Sequence, residues 1–216
     1  MKIDAVGVAL VAGEEGKILH PYDDHDVHRL TYDTVSGRYH RQDGTAPIGF
    51  PTIGIGHLIR PGQAFEDITD ERATTAIFLD DLADVEAAIN RCIPDDTDGW
   101  NQNRYNAVCD ACFNLGALWA FRSGLAAACV AGKYDDCRAI FAKYVHSQGA
   151  VLPVLVRRRA REWALFSTPV AIAWGPNDVA NILASVHTTA LDSVDEFTKG
   201  SPLPDEDEVP DTDRNS

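Results

Sequence analysis

The chain has little with which to cross a membrane, cross-link itself or grip nucleic acid. Its apolar run Ala5 to Ala12 is eight residues long, against the ~20 needed to span a bilayer. Asp4 precedes that run and Glu14 follows it, so it also makes a poor export signal, and cleavage near Gly13 would remove a helix. Neither stable membrane insertion nor a cleavable signal peptide is therefore expected. The five cysteines, Cys92, Cys109, Cys112, Cys129 and Cys137, are an odd number and include a single CxxC, which lacks the second pair of a zinc site. Buried free thiols, packed as small hydrophobes, suit them and suit synthesis in a reducing compartment. Basic residues are scarce: 19 Lys and Arg face 33 Asp and Glu, a formal charge of −14. Phosphate contact needs clustered Lys and Arg, so a general nucleic-acid binder is excluded.

What the sequence does have is a core and a polarised end. Of its 216 residues, 45% are apolar, ample for one large domain or two small lobes. Half of the net charge is local, because residues 192–216 carry nine acids and two bases. From Gly200 onward Pro, Asp, Glu and Ser dominate, and such a composition cannot bury enough surface to offset its ordering entropy. A disordered acidic tail is expected over 200–216, preceded by a helical extension over 168–199 with apolar positions Val179, Ile182, Leu183, Val186 and Leu191.

The remaining chain reads as helix, then strands and turns, then helices. Asp4 can cap a short buried helix ending near Gly13 or Gly16. Residues 22–60 lose helical periodicity; Leu30, Tyr32 and Thr34 alternate with polar residues, Ser36-Gly37 is a turn signal, and Arg38 to Arg41 returns as the second arm of a hairpin. Thr52 to His57 reads as a short strand. Thr69 can cap a long helix whose inner positions are Ala73, Ile77, Leu79, Leu82, Val85 and Ile89, with Asp80, Asp81 and Asp84 outside. Asn101 to Leu115 is almost without a polar face and is the expected central buried helix. Tyr134 to His146 is expected to be amphipathic, and Pro153 opens a last helix through Phe166.

Chemistry concentrates between Glu15 and His57. Tyr22 and Asp24 follow Glu15 by seven and nine residues, and Thr52-Ile53-Gly54-Ile55-Gly56-His57 closes the stretch. Two carboxyl groups and a hydroxyl are the parts needed to hydrolyse a glycosidic bond: one acid protonates the leaving oxygen, the other carboxylate activates water or attacks the sugar carbon. Six residues between His20 and His28 (His20, Asp23, Asp24, His25, Asp26 and His28) are also metal-ligand types. They match no zincin spacing, and no metal site is assigned to them.

These residues resemble the phage-type lysozymes, glycoside hydrolase family twenty-four, marked by Glu, eight residues, Asp, five residues, Thr, then a Gly-x-Gly-His turn. Glu15 and Asp24 keep the first spacing, whereas 27 residues separate Asp24 from Thr52; the excess, residues 25–48, reads as an inserted hairpin. Phe113-Asn114-Leu115-Gly116 and Arg157-Arg158-Arg159-Ala160-Arg161-Glu162 extend the resemblance downstream. It implies an α+β, mainly α-helical, lysozyme-like fold over residues 1–167, with a small β-lobe and a helical lobe around a cleft. It implies a muramidase cutting the β-1,4 bond between N-acetylmuramic acid and N-acetylglucosamine in peptidoglycan, with no cofactor. It implies Glu15, Asp24 and Thr52 as catalytic residues.

Around these, Tyr22, His57 and Asn114 are candidate substrate contacts. For His57 a structural hydrogen bond in the turn competes with that role, and for Asn114 a helix cap does. Arg157 and Arg158 are candidate supports for Glu15, against a solvated face as the plainer reading of all four arginines. Tyr32, Arg38 and Tyr39 could bring the insertion into contact with glycan. The expected setting is a monomeric endolysin held in the host cytoplasm until a separate membrane-permeabilising protein admits it to the glycan strands of the wall. Two alternatives are a lytic transglycosylase acting on the same bond, which needs no positioned water, and a non-catalytic glycan-binding or virion component.

Overall fold

The computed structural model describes residues 1–147 and 149–169; the expected C-terminal helix and acidic tail lie almost wholly outside them. The elements are α1 (Ala5–Glu15), β1 (Ile18–Asp23), β2 (Leu30–Asp33), β3 (Arg38–Arg41), β4 (Pro51–Gly54), β5 (His57–Leu58), α2 (Glu71–Cys92), α3 (Gln102–Leu115), α4 (Trp119–Arg122), α5 (Leu125–Val130), α6 (Cys137–Ala142), β6 (His146–Ser147), β7 (Ala150–Val151) and α7 (Pro153–Ser167). Two compact units divide them: Ala12–Ala83, and Met1–Val11 together with the chain from Asp84.

The first unit is the β-rich one. Antiparallel β4 lies between β1 and β5, with Tyr22 opposite Thr52 and Asp23 opposite Pro51. The β1–β4 register slips between Ile18 and Tyr22, where Pro21 has no N–H to give the ladder. The expected strand from Thr52 to His57 is instead two strands around a turn, because Gly54 and Gly56 take φ of 70° and 68°, values open to glycine at little cost. Residues 30–41 do form a hairpin, paired from Leu30 with Arg41 to Asp33 with Arg38. It is anchored inward: Leu30 and Tyr39 join Ile53, Ile59 and Ile68 in the core of this unit. The Tyr39 hydroxyl accepts a hydrogen bond from the Phe65 amide at 2.7 Å. Tyr39 is thus a core residue and not the glycan contact expected of it, while Arg38 stays exposed.

The second unit is helical. In α1, Asp4 Oδ1 accepts the amides of Val6 and Gly7, the expected cap. In α3, Asn101 caps through the Arg104 amide at 3.1 Å, and Tyr105, Ala107, Val108, Cys109, Ala111 and Cys112 are fully buried. Trp119 packs against Phe141 and Tyr144, each with ring centroids 5.4 Å away, and Phe141 meets Phe166 at 5.6 Å. All five cysteines are free thiols.

Three local expectations shift. Asp70, not Thr69, caps α2, its carboxylate accepting the Arg72 amide at 2.9 Å. With the helix beginning at Glu71, Phe78 is buried and Leu79 is 49% exposed, so the inner stripe is Thr74, Phe78, Leu82, Val85 and Ile89. The helix expected over 134–146 is a 3₁₀ turn at Tyr134–Asp136 followed by α6, which stops at Ala142.

Candidate active site

Glu15, Tyr22, Asp24, Thr52 and His57 all belong to the β-rich unit. Glu15 is the last residue of α1 and is half-buried; Gly16 follows with φ of 69° and releases the chain into β1. Tyr22 lies buried on β1. Burial pushes its phenol up to about 12, and the negative charges of Glu15 and Asp24 push the same way.

Asp24 follows β1 directly and is exposed. Its amide donates to the Phe50 carbonyl at 3.1 Å, and its Oδ1 accepts the Phe50 amide at 2.7 Å. Thr52 is buried, and its hydroxyl donates to that same Phe50 carbonyl at 3.1 Å. Although 27 residues separate them in sequence, Asp24 and Thr52 are both fixed to Phe50.

His57 behaves as a tie. Its Nδ1 lies 2.9 and 3.0 Å from the two Asp81 oxygens on α2, and its ring meets Phe65 edge-on at 5.4 Å. Asp81, expected on the outer face of its helix, is half-buried for this reason.

Asn114, Arg157 and Arg158 belong to the helical unit. Asn114 Oδ1 accepts from Arg159 at 3.0 Å, which links the end of α3 to α7. Arg158 is buried and pairs with Asp110 at 2.8 Å, Arg159 is fully buried on Glu162 at 2.6 Å, and Arg157 is half-buried. A solvated arginine face is thus wrong for Arg158 and Arg159. Arg158 holds the Asp110 carboxyl below its usual range against burial, which pushes it up; burial pushes Glu162 upward, and Arg159 opposes that.

Two sets escaped the sequence reading. The Asp110–Arg158–Arg159–Glu162 cluster had a signal: Asp110 is an isolated acid inside the otherwise apolar stretch of α3, and a lone buried charge needs a partner. The other set is Asp23, Arg41 and Gly49, beside Asp24. Asp23 is fully buried and accepts from Arg41, from the Ile48 and Gly49 amides at 2.8 Å each, and from the His25 amide at 3.1 Å. Asp26 pairs with Arg41 and lies 3.0 Å from His28. Among the described residues, no group of three or more His, Cys, Asp or Glu is arranged to hold a metal.

The phage lysozyme family model matches residues 36–162. The chain belongs to the phage lysozyme family. It is accordingly a glycoside hydrolase of the lysozyme type, acting on peptidoglycan, with the α+β lysozyme fold. Thr52, His57, Asn114, Arg157 and Arg158 fall inside the matched range, whereas Glu15 and Asp24 precede it. An endolysin of Acyrthosiphon pisum secondary endosymbiont phage 1 is 31% identical over 121 residues, 54% of this chain and 80% of that protein. The muramidase domain of SpmX from Asticaccaulis excentricus superposes with a TM-score of 0.58 at 23% identity, covering 78% of this chain and 99% of that one. A mutant of P22 lysozyme gives 0.55 at 26% identity, with coverage of 78% and 99%.

Proposed function

We propose that this lysozyme hydrolyses the β-1,4 bond between N-acetylmuramic acid and N-acetylglucosamine with Glu15 as general acid. Glu15 gives its proton to the departing glycosidic oxygen as the bond to the anomeric carbon breaks. Asp24 orients a water molecule, or takes its proton, as the water oxygen bonds to that carbon, and Thr52 helps to hold the water. Glu15 ends as carboxylate and Asp24 as acid, and exchange with solvent restores both. Proton transfer of this kind contributes about 10²- to 10⁴-fold in rate. The observation that supports this reading is that Phe50 binds Asp24 and Thr52 together, in the same unit that holds Glu15.

Tyr22 and His57 shape the site, the first from its place on β1 opposite Thr52 and the second by fixing β5 to Asp81. Asn114 and Arg158 serve the helical unit, where they are engaged by Arg159 and Asp110. The biological setting we infer is that of an endolysin: a monomer that lyses the host cell from within after another protein has opened the membrane. In support, no helix among the described residues is long and apolar enough to cross a membrane.

Purified peptidoglycan is the test substrate. Glu15→Gln is expected to fold normally and to lose at least ~10²-fold in turnover, with Asp24→Asn losing much of it. Parent-like clearance by Glu15→Gln refutes the assignment of the acid. Mass spectrometry of the released muropeptides checks the reaction: products lighter by one water than hydrolysis gives mean an internal transglycosylation instead.

A further inference from the structure

The insertion between Asp24 and Thr52 begins and ends on one carboxylate. Asp23 has no solvent exposure. Its oxygens accept the His25 amide at 3.1 Å from the start of the insertion, and the Ile48 and Gly49 amides at 2.8 Å each from its end. Arg41, at the end of β3, adds two further donors, with Nε at 3.1 Å. Its guanidinium also reaches Asp26 at 2.6 Å. A carboxylate with this many donors, two of them from an arginine, is held firmly in direction as well as in charge.

What this fixes is the next residue along. Once Ile48 and Gly49 are pinned to Asp23, the following amide, that of Phe50, points at Asp24 Oδ1 from 2.7 Å. Gly49 leaves no slack: a Cβ built there would sit 2.0 Å from Asp24 Oδ1, 2.9 Å from Asp23 Oδ1 and 2.9 Å from the His25 nitrogen. Pro51 and Thr52 then enter β4 opposite Asp23 and Tyr22.

We propose that Asp23 and Arg41 form a clamp that closes the 25–48 insertion and thereby sets the direction of the Asp24 carboxylate, with Gly49 as the spacer that permits the fit. This rests on the role given to Asp24 above. Asp23, Arg41 and Gly49 are positioning residues: they act on the reaction through Asp24. The insertion is then a working part of the site, which replaces a short direct connection with a longer one whose ends are tied at a single buried point.

The experiment is a double-mutant cycle on purified peptidoglycan, with kcat and KM resolved and folding followed by circular dichroism. Arg41→Met is expected to lower kcat by about 10- to 100-fold, the range that an ångström-scale misplacement produces, with KM within about twofold. Arg41→Lys, which keeps the charge but not the fork, recovers part of the loss. In an Asp24→Asn background, Arg41→Met costs less than about a further twofold, because the group it positions is already disabled. Gly49→Ala covers the case in which Arg41→Met does not fold; it removes no buried charge, and its kcat falls toward that of Asp24→Asn. Parent-like kcat in Arg41→Met or Gly49→Ala overturns the clamp while Asp24 stands, as does a full multiplicative loss in the Asp24→Asn background. Parent-like turnover by Asp24→Asn alone removes instead the role of Asp24 on which the clamp depends.

Discussion

Replacing Arg159 by methionine tests the polar seam between α3 and α7 most directly. The guanidinium is fully buried, bonded to Glu162 at 2.6 Å and to Asn114 at 3.0 Å, and Glu162 is itself without solvent exposure. Methionine fills much of the same volume but takes away the positive charge, leaving a buried carboxyl short of a partner. Breaking one side of a buried pair costs about 3 to 5 kcal/mol. At about 2 to 4 °C per kcal/mol for a chain of this size, the midpoint should fall by about 6 to 20 °C.

The loss also carries a pH signature. Burial already pushes Glu162 upward, and Arg159 is foremost among the groups opposing that. Without Arg159 the folded carboxyl binds its proton more tightly than the unfolded one does, so the folded state holds more protons and stability declines as pH rises. The deficit of Arg159→Met relative to the parent should therefore be smaller at pH 5 than at pH 8. Urea unfolding at both values measures it, and Arg157→Met, at a half-buried position on the same helix, provides a comparison expected to stay within about 1 kcal/mol. A deficit below about 1 kcal/mol for Arg159→Met, or one that shrinks toward pH 8, refutes the account of this cluster.

Two smaller perturbations probe other parts of the fold. Burial pushes the Asp23 carboxyl up, but Arg41 and the amides of Ile48, His25 and Gly49 outweigh it and bring it down from 3.8 to about 2. A depressed carboxylate stabilises above its unfolded value, so a contribution of at most about 2 kcal/mol is present at pH 5 and lost as pH falls from about 4 through 2; the stability gap between parent and Asp23→Asn should close over that window in acid titrations. At Gly7 on α1, a Cβ would lie 2.5 Å from Ile3 Cγ1 and 2.7 Å from Asn106 Oδ1, so Gly7→Ala is expected to cost about 1 to 3 kcal/mol by overpacking, despite alanine's better helix propensity. A thermal midpoint equal to or above the parent's would show that the contact relaxes freely.

Much of the architecture was legible because it depends on local chemistry. Asp4 is an acceptor placed ahead of an apolar segment, and it caps α1 as expected. The 30–41 hairpin was visible in its alternation and in Ser36-Gly37, and Pro153 opens α7 as its fixed φ favours. The errors are errors of phase. Asp70 rather than Thr69 caps α2, and the inward position is Phe78, a rotation of about 100° from the expected Leu79, while Leu82, Val85 and Ile89 keep the expected face. Helix signals alone cannot fix that rotation, because residues at adjacent positions lie about 100° apart on the helix.

The sequence by itself determined which groups are available for chemistry: the order and spacing of Glu15, Tyr22 and Asp24 are covalent facts, and strand and helix periodicities follow from short-range sterics. Only the tertiary structure decided how those groups are held. That Phe50 bonds both Asp24 and Thr52, that Asp23 gathers both ends of a long insertion, and that Arg158 and Arg159 turn inward to Asp110 and Glu162 all depend on partners far apart along the chain. A buried charge is tolerable only where folding brings a counter-charge and donors to it, and no local pattern states where that will be.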